Sequence, residues 1–447
     1  MTTSTVVDSA AIPVARDDSA LARATIRRVS VRLLPFLFVL YVFNYLDRTN
    51  VSIAALQMNR DLQFSAAAFG LGSGIFFIGY ALFEVPSNLL LARVGARWWI
   101  ARIMLTWGVI AVAMMFVRTP TQFYALRFLL GVAEAGFFPG IVYYLSHWFP
   151  SEARGRASAR FMVAIPLSGV LGGAIGGSLL GLDGRLGLAG WQWLFLVEGL
   201  PSVLLGFAVL ALMPERPADA RWLTAEQRGW LQSRLAREDD ASAAPHGVPP
   251  LRTLVDPMVW IVSLPYLCFN TAAYGYQFWG PTIIRDALRT GDLATSLLSG
   301  LIALVAAAVM LFNAAHSDRS GERFVHAARG SALIAFGFVA TALVPWPVAK
   351  VLAIAVVPVG AMVFLAPYWC LPPMLFRGAA MAAAIALVNS IGNIGGFLGP
   401  IVIGMSRTLT GGSTGAFLVL AALGAASGVT LLALRRHPAF RTRGVAA

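Results

Sequence analysis

Charge is scarce in this chain. Of its 447 residues, 12% are Asp, Glu, Lys or Arg, against roughly a quarter in an ordinary soluble protein. Beside a hydrophobic content of 58%, that scarcity excludes a disordered chain and a soluble single-core domain. Cysteine is nearly absent. The two present, Cys268 and Cys370, both sit inside apolar runs, which excludes a secreted disulfide scaffold. The five histidines show no metal-ligand spacing such as His-Glu-x-x-His, and there is no Gly-rich phosphate loop. No metal, ATP or other cofactor is therefore expected. The polar N-terminal segment carries Arg16, Arg23, Arg27 and Arg28 without the short apolar core and small-residue cleavage site of a signal peptide.

Long apolar runs are abundant instead. A membrane-spanning helix needs about 20 apolar residues, and such stretches fall near 32–57, 66–91, 98–117, 121–147, 157–182, 191–213, 257–284, 293–315, 325–344, 347–375, 379–406 and 413–434. These twelve runs predict an all-α polytopic membrane protein. Its basic residues follow a strong bias. With the N-terminus inside, the cytoplasmic segments hold 25 Lys and Arg and the outer loops seven, so both termini are expected in the cytoplasm. The net charge of +13 is thus chiefly an orientation signal, and nucleic acid is not an expected partner.

The longest polar stretch divides the chain. A cytoplasmic tail over 1–31 precedes a six-helix half over 32–213. A linker over 214–256 leads to a second half over 257–435 and a tail over 436–447. Within the linker, Thr224 and Gln227 are spaced as a capping box for a short helix ending near Arg237, and the Asp239-Asp240-Ala-Ser-Ala-Ala-Pro tract reads as flexible. The halves echo each other. At an offset of 223, Arg154-Gly155 falls on Arg377-Gly378, and Gly169, Gly172, Gly173, Gly176 and Gly181 fall on Gly392, Gly395, Gly396, Gly399 and Gly404. At an offset of 226, Arg93, Gly95 and Arg97 fall on Arg319, Gly321 and Arg323. Two pseudo-symmetric halves related by an axis along the membrane normal suit a secondary transporter. The four-spaced glycines suit close helix packing.

Ionisable groups inside the bilayer are costly and mark ion or substrate pathways. The first half has six: Asp47, Arg48, Glu84, Arg127, Glu134 and Glu198. The second offers neutral polarity: Asn270, Tyr274, Gln277, Trp369, Asn389, Ser390 and Asn393. Arg127 and Glu134, seven apart, share a helix face, as do Tyr41, Asn44 and Arg48. Asp47 lies about 100° round from Arg48, free to pair with a neighbouring helix while Arg48 faces a cavity. Guanidinium binds carboxylate bidentately, and buried acids serve as proton relays, so the set suits an anion–proton site. The alternative is that fixed ion pairs lock the first span to the fourth. Glu84 fits either role, and Glu198 reads as structural. His147 reads as a surface residue. Most tryptophans fit an interfacial belt, with Trp279 and Trp369 as candidate exceptions.

Several motifs then resemble the anion:cation symporter family of the major facilitator superfamily. They are Tyr45-Leu-Asp47-Arg48-Thr-Asn50, Arg127…Gly131-Val-Ala-Glu134-Ala-Gly136-Phe-Phe-Pro139, Trp148-Phe149-Pro150, Gly190-Trp191-Gln-Trp193, His316-Ser-Asp318-Arg319-Ser-Gly321-Glu-Arg323, and Asn389-Ser-Ile-Gly392-Asn393-Ile-Gly-Gly-Phe-Leu-Gly399-Pro400. The likeness covers nearly the whole chain. The stretch from Pro214 to Leu223 looks most like the bacterial tartrate, phthalate and hydroxyphenylacetate branch. The resemblance implies proton-coupled uptake of a small organic carboxylate across the bacterial inner membrane by a monomer, driven by the proton gradient. It makes Asp47 and Glu134 proton-coupling acids, and places Arg48, Tyr80 and Arg127 around the substrate with Asn393 on the opposite wall. Tyr41, Asn270, Tyr274, Gln277 and Trp369 complete the expected binding surface, and Arg93, Asp318 and Arg319 the gate. In this chain Ala92 stands where the superfamily's first gate loop usually has an acid, and Ile165-Pro166 replaces a polar residue frequent in sugar-acid carriers. A proton-driven exporter of a drug or metabolite on the same fold is the rival reading. A polytopic enzyme or sensor would need a catalytic set or signalling domain that the sequence does not show.

Overall fold

A computed structural model describes residues 15–242, 255–376 and 378–441, and every regular element among them is helical. Backbone groups in an apolar run can be satisfied only within the segment, and a helix does this with i to i−4 bonds. The first half comprises α1 (Ala15–Asp61), α2 (Ala66–Val94), α3 (Ala96–Ala113), α4 (Pro120–Glu134), α5 (Phe137–Ser146), α6 (Ser151–Met162), α7 (Ala164–Leu180) and α8 (Gly190–Leu212). The linker contributes α9 (Ala225–Ser242). The second half comprises α10 (Pro257–Leu288), α11 (Asp292–Ser320), α12 (Phe324–Leu343), α13 (Pro347–Trp369), α14 (Leu371–Leu375), α15 (Gly378–Thr410) and α16 (Thr414–Arg435), followed by α17 (Pro438–Arg441).

Three of the expected spans are broken, each for a local reason. The fourth divides at Ala135–Gly136, where Gly136 takes φ 87°, a left-handed value that favours glycine. The freed Ala135 carbonyl is not left bare: Ser87 Oγ donates to it at 2.6 Å. The fifth breaks at Val163, because the Pro166 ring would clash with the carbonyl of Met162 in an unbroken helix. The tenth breaks at Cys370, ahead of Pro372-Pro373. Eleven helical stretches among the described residues are long and apolar enough to cross a membrane. The seventh expected span, α10, is not one of them. It has ample length at 32 residues, but Asn270, Thr271, Tyr274, Tyr276 and Gln277 dilute its apolar character.

Helix α1 runs unbroken for 47 residues, so the basic segment from Ala15 onward continues the helix of the first span. Arg28 on that extension reaches Gln227 Oε1 of α9 at 3.4 Å. The capping box forms as read: Thr224 Oγ1 accepts from Gln227 N at 3.2 Å, and Gln227 Oε1 from Thr224 N at 3.3 Å. Helix α9 continues past Arg237 to Ser242, so the start of the tract read as flexible is helical. Residues 243–254 lie outside the described ones.

Two glycine seams join the halves. On one, α7 meets α11: a Cβ on Gly173 would lie 2.7 Å from Gly300 Cα. On the other, α2 meets α15: a Cβ on Gly70 would lie 2.6 Å from the Pro400 carbonyl oxygen, and one on Gly74 equally close to that of Phe397. The repeat relates these seams, since it carries the fifth span onto the eleventh and the second onto the eighth. At the end of the bundle opposite the linker, polar contacts close over them. Ala67 N donates to Thr408 Oγ1 at 3.0 Å, Gln57 Nε2 to Asp292 Oδ2 at 2.9 Å, and Arg285 to the Leu56 carbonyl.

Inside the first half, α2 and α4 pack just as closely, and a Cβ at Gly131 would stand 2.0 Å from the Phe76 carbonyl oxygen. Gly131→Ala should therefore destabilise the protein by about 1–3 kcal/mol, the usual cost of overpacking. Thermal unfolding in detergent micelles checks this. Gly155→Ala, whose new methyl meets nothing within 4 Å, is the control and should not lower the midpoint.

Candidate functional site

The break after α4 sets the position of the central acid. Glu134 is the last residue of α4 and is 1% exposed. Arg48 of α1 closes on it. Its Nε donates to Glu134 Oε1 at 2.9 Å, and its Nη2 reaches the same oxygen. The guanidinium thus clamps one carboxylate oxygen, while Glu134 Oε2 is buried without a hydrogen-bond partner. The arginine side chain remains 13% exposed. The ring centroids of Tyr80 and Phe76 lie 5.2 and 5.4 Å from its Cζ, within the range of cation–π attraction.

Arg127 is not paired with Glu134. It shares a helix face with Glu134, yet its Nε and Nη2 donate to the Gly72 and Ser73 carbonyls of α2 at 3.3 and 3.2 Å. The side chain is 1% exposed. Phe76 separates the two arginines, with its centroid 4.9 Å from Arg127 Cζ. Two arginines with two carboxylates are therefore one closed ion pair and one arginine held by backbone. The reason is reach: two helical turns divide Arg127 from Glu134, whereas the α2 backbone lies directly against α4.

Asp47 turns away from the arginines, as its angular offset implies. Trp107 Nε1 of α3 donates to Asp47 Oδ2 at 2.7 Å and Ser202 Oγ of α8 donates to the same oxygen at 2.8 Å. Asn50 approaches Oδ1 at 3.5 Å. These partners were not anticipated from sequence. The only signal was a Trp placed well inside the third span. Glu198, one turn before Ser202, is 3% exposed, and its Oε2 has no hydrogen-bond partner. It lines a cavity of about 170 Å³ with Tyr45, Asn50 and Gln277, between α1, α7, α8, α10, α11 and α13.

The second half supplies the facing wall with neutral groups. Tyr274 packs on Phe77 of α2 at 4.5 Å between centroids, and Gln277 Nε2 is buried without a partner. Trp369 meets Tyr266 edge-on at 5.0 Å. Asn270 and Asn393 are buried, with Asn270 beside Gly392 across the α10–α15 contact. On the first half, Tyr41 stacks on Phe161 at 4.4 Å, and Asn44 Nδ2 is buried and unpaired. Trp279 belongs elsewhere. Its Nε1 donates to the Pro400 carbonyl at 3.0 Å, and it packs on Phe69, so it serves the seam near the end opposite the linker.

Glu84 joins the halves directly: Asn389 Nδ2 donates to its Oε1 at 3.1 Å, and Ser390 Oγ lies 3.5 Å from Oε2. Arg93 and Arg319 are both exposed and make no ion pair among the described residues, and the side chain of Asp318 lies outside them. The acid that serves the loop between α2 and α3 is Glu215, which accepts from the Ala96 and Arg97 backbone N–H groups at 2.7 and 2.9 Å. His147 is exposed, as read.

The chain matches the family model of the Major Facilitator Superfamily over residues 37–400. It is 44% identical over 420 residues to a provisionally named tartrate transporter of Agrobacterium vitis, covering 94% of this chain and 96% of that one. A quinolone resistance transporter of Acinetobacter baumannii is 42% identical over 389 residues, covering 86% of this chain and 89% of that one. A crystal structure of a bacterial homologue of the human lysosomal transporter Spinster superposes with a TM-score of 0.71, over 93% of this chain and 98% of that one. At 18% identity that likeness is one of fold. With its helical halves, its glycine seams and a family match across most of its length, the chain belongs to the major facilitator superfamily of membrane transporters.

Proposed function

We propose that this transporter is a proton-coupled symporter that takes up a small organic carboxylate across the bacterial inner membrane, with the linker and both termini in the cytoplasm. The arrangement of Glu134 carries the reading. Arg48 neutralises one oxygen, while the other is buried with no donor. A proton arriving at Oε2 removes the charge that holds Arg48 and leaves a cationic fork free to take an anion. A carboxylate is the matching anion, because it takes the guanidinium bidentately.

In the proposed cycle, protonation of Glu134 and Asp47 precedes substrate capture by Arg48. Arg127 sustains the positive field from its seat on the α2 carbonyls. Gln277, Asn270 and Asn393 offer hydrogen bonds to the substrate's remaining polar groups, and Tyr41, Tyr80, Tyr274 and Trp369 form its apolar walls. The halves then rock along the glycine seams, and proton release restores the ion pair and expels the anion. The contacts closing the end opposite the linker correspond, in this orientation, to a sealed periplasmic side. The relative named for tartrate transport favours a hydroxylated dicarboxylate as first candidate. A proton-driven exporter is the second reading, favoured by the relative named for quinolone resistance; an accumulation assay with inside-out and right-side-out vesicles separates the two by direction.

Two substitutions test the mechanism in proteoliposomes. Glu134→Gln should retain substrate counterflow and lose accumulation driven by a pH gradient. Unchanged accumulation would remove Glu134 from the coupling step. Arg48→Lys should raise the half-saturation concentration by about tenfold or more, since an ammonium lacks the fork. A thermal-shift panel of carboxylic acids on the purified protein identifies the ligand for both assays.

A further inference from the structure

At the linker end, α1, α6 and α9 enclose a cleft of about 550 Å³ that transport chemistry does not use. Arg23 and Arg27 project into it from α1, and Arg156 and Arg160 from α6. Each pair is four residues apart, so each occupies one helix face with its charges one turn apart. Like charges at this spacing repel, and these four arginines have no acidic partner among the described residues. The one acid at the cleft, Glu152, is already bound by Arg234 of α9. Four guanidiniums lining one hollow, with no acid paired to them among the described residues, call for an anion.

Position identifies its class. Both helices change here from basic to apolar, α1 between Arg32 and Leu33 and α6 between Arg160 and Phe161. The cleft therefore sits at the level where a membrane's polar headgroups meet its hydrocarbon. Val31, on its rim, is 69% exposed, giving an acyl chain apolar surface beside the charges. Trp230 of α9 closes the opposite wall, and aromatic rings of this kind favour the headgroup level. We propose that this cleft binds the phosphate headgroup of an anionic phospholipid, and that the lipid ties the linker helix to the first half. Guanidinium forks suit phosphate oxygens, and anionic lipids concentrate near juxtamembrane basic segments.

The site stands independently of the substrate and of proton coupling, and its test needs neither. Native mass spectrometry of the full chain in detergent, with phosphatidylglycerol or phosphatidylcholine added, should show one phosphatidylglycerol retained and no equivalent phosphatidylcholine. The triple variant Arg27→Gln, Arg156→Gln, Arg160→Gln should lower that retention about tenfold. A charge-matched variant at the same end, Arg93→Gln, Arg319→Gln, Arg436→Gln, should leave it unchanged. Equal loss in both variants would overturn the proposal in favour of diffuse surface charge. Displacement of the lipid by an equal concentration of inorganic phosphate would overturn the lipid assignment in favour of a free-anion site. If the triple variant does not fold, Arg160→Gln against Arg93→Gln carries the same comparison, with a smaller expected loss for the first and none for the second.

Discussion

A guanidinium clamped to a single carboxylate oxygen in the middle of an apolar bundle is the constraint on which the rest of this structure depends. Breaking a buried pair by removing one partner costs far more than forming it returns, so the surroundings of Arg48 and Glu134 are built to hold both. Tyr80 and Phe76 present their ring faces to the guanidinium. The break at Gly136 ends α4 at the acid. Phe76 stands between Arg48 and Arg127, and the second arginine is satisfied by the Gly72 and Ser73 carbonyls. Two cations can coexist in one low-dielectric half only because their compensations are separate.

Much of the architecture was legible in the sequence because its signals are local or periodic. Apolar length marks spans whatever their partners are, and the repeated glycines mark where backbones must touch. The capping box of Thr224 and Gln227 needs only four residues. What was not legible depends on distant elements. Nothing near Asp47 announces that Trp107 and Ser202, from two other spans, will satisfy it. The shared face of Arg127 and Glu134 was read correctly as geometry, yet a shared face fixes direction and not reach. The break of the fourth span needed Ser87, on another helix, to accept its cost by bonding the Ala135 carbonyl. Prolines announced the other two breaks more plainly, although a run of apolar residues conceals them when only length is counted.

The seams explain how two halves can move about such a charged centre. Glycine-to-glycine and glycine-to-carbonyl contacts, as at Gly173–Gly300 and Gly70–Pro400, interlock few side chains, so small rotations about them disturb little packing. The repeat makes the two seams equivalents, which balances a rocking motion about an axis between them. Contacts at the end opposite the linker are of another kind. Gln57 with Asp292, Ala67 with Thr408 and Arg285 with the Leu56 carbonyl are polar, and water can replace each of them without leaving a group unpaired. Opening that end therefore costs less than its number of contacts implies.

Charge is divided between the halves in a way that fits this mechanics. Every ionisable group well inside the spans belongs to the first half, and the second answers with amides, hydroxyls and aromatic rings. Were the Arg48–Glu134 pair split across the halves, each rocking movement would separate buried charges and incur their full desolvation. Kept within one half, the pair is not separated by movement between the halves. Glu84, an acid inside the spans that does reach across, meets Asn389 and Ser390, neutral partners whose loss costs far less than that of an opposing charge. The fold thus confines its strongest electrostatic interaction to a rigid unit and leaves the moving interface to weak ones.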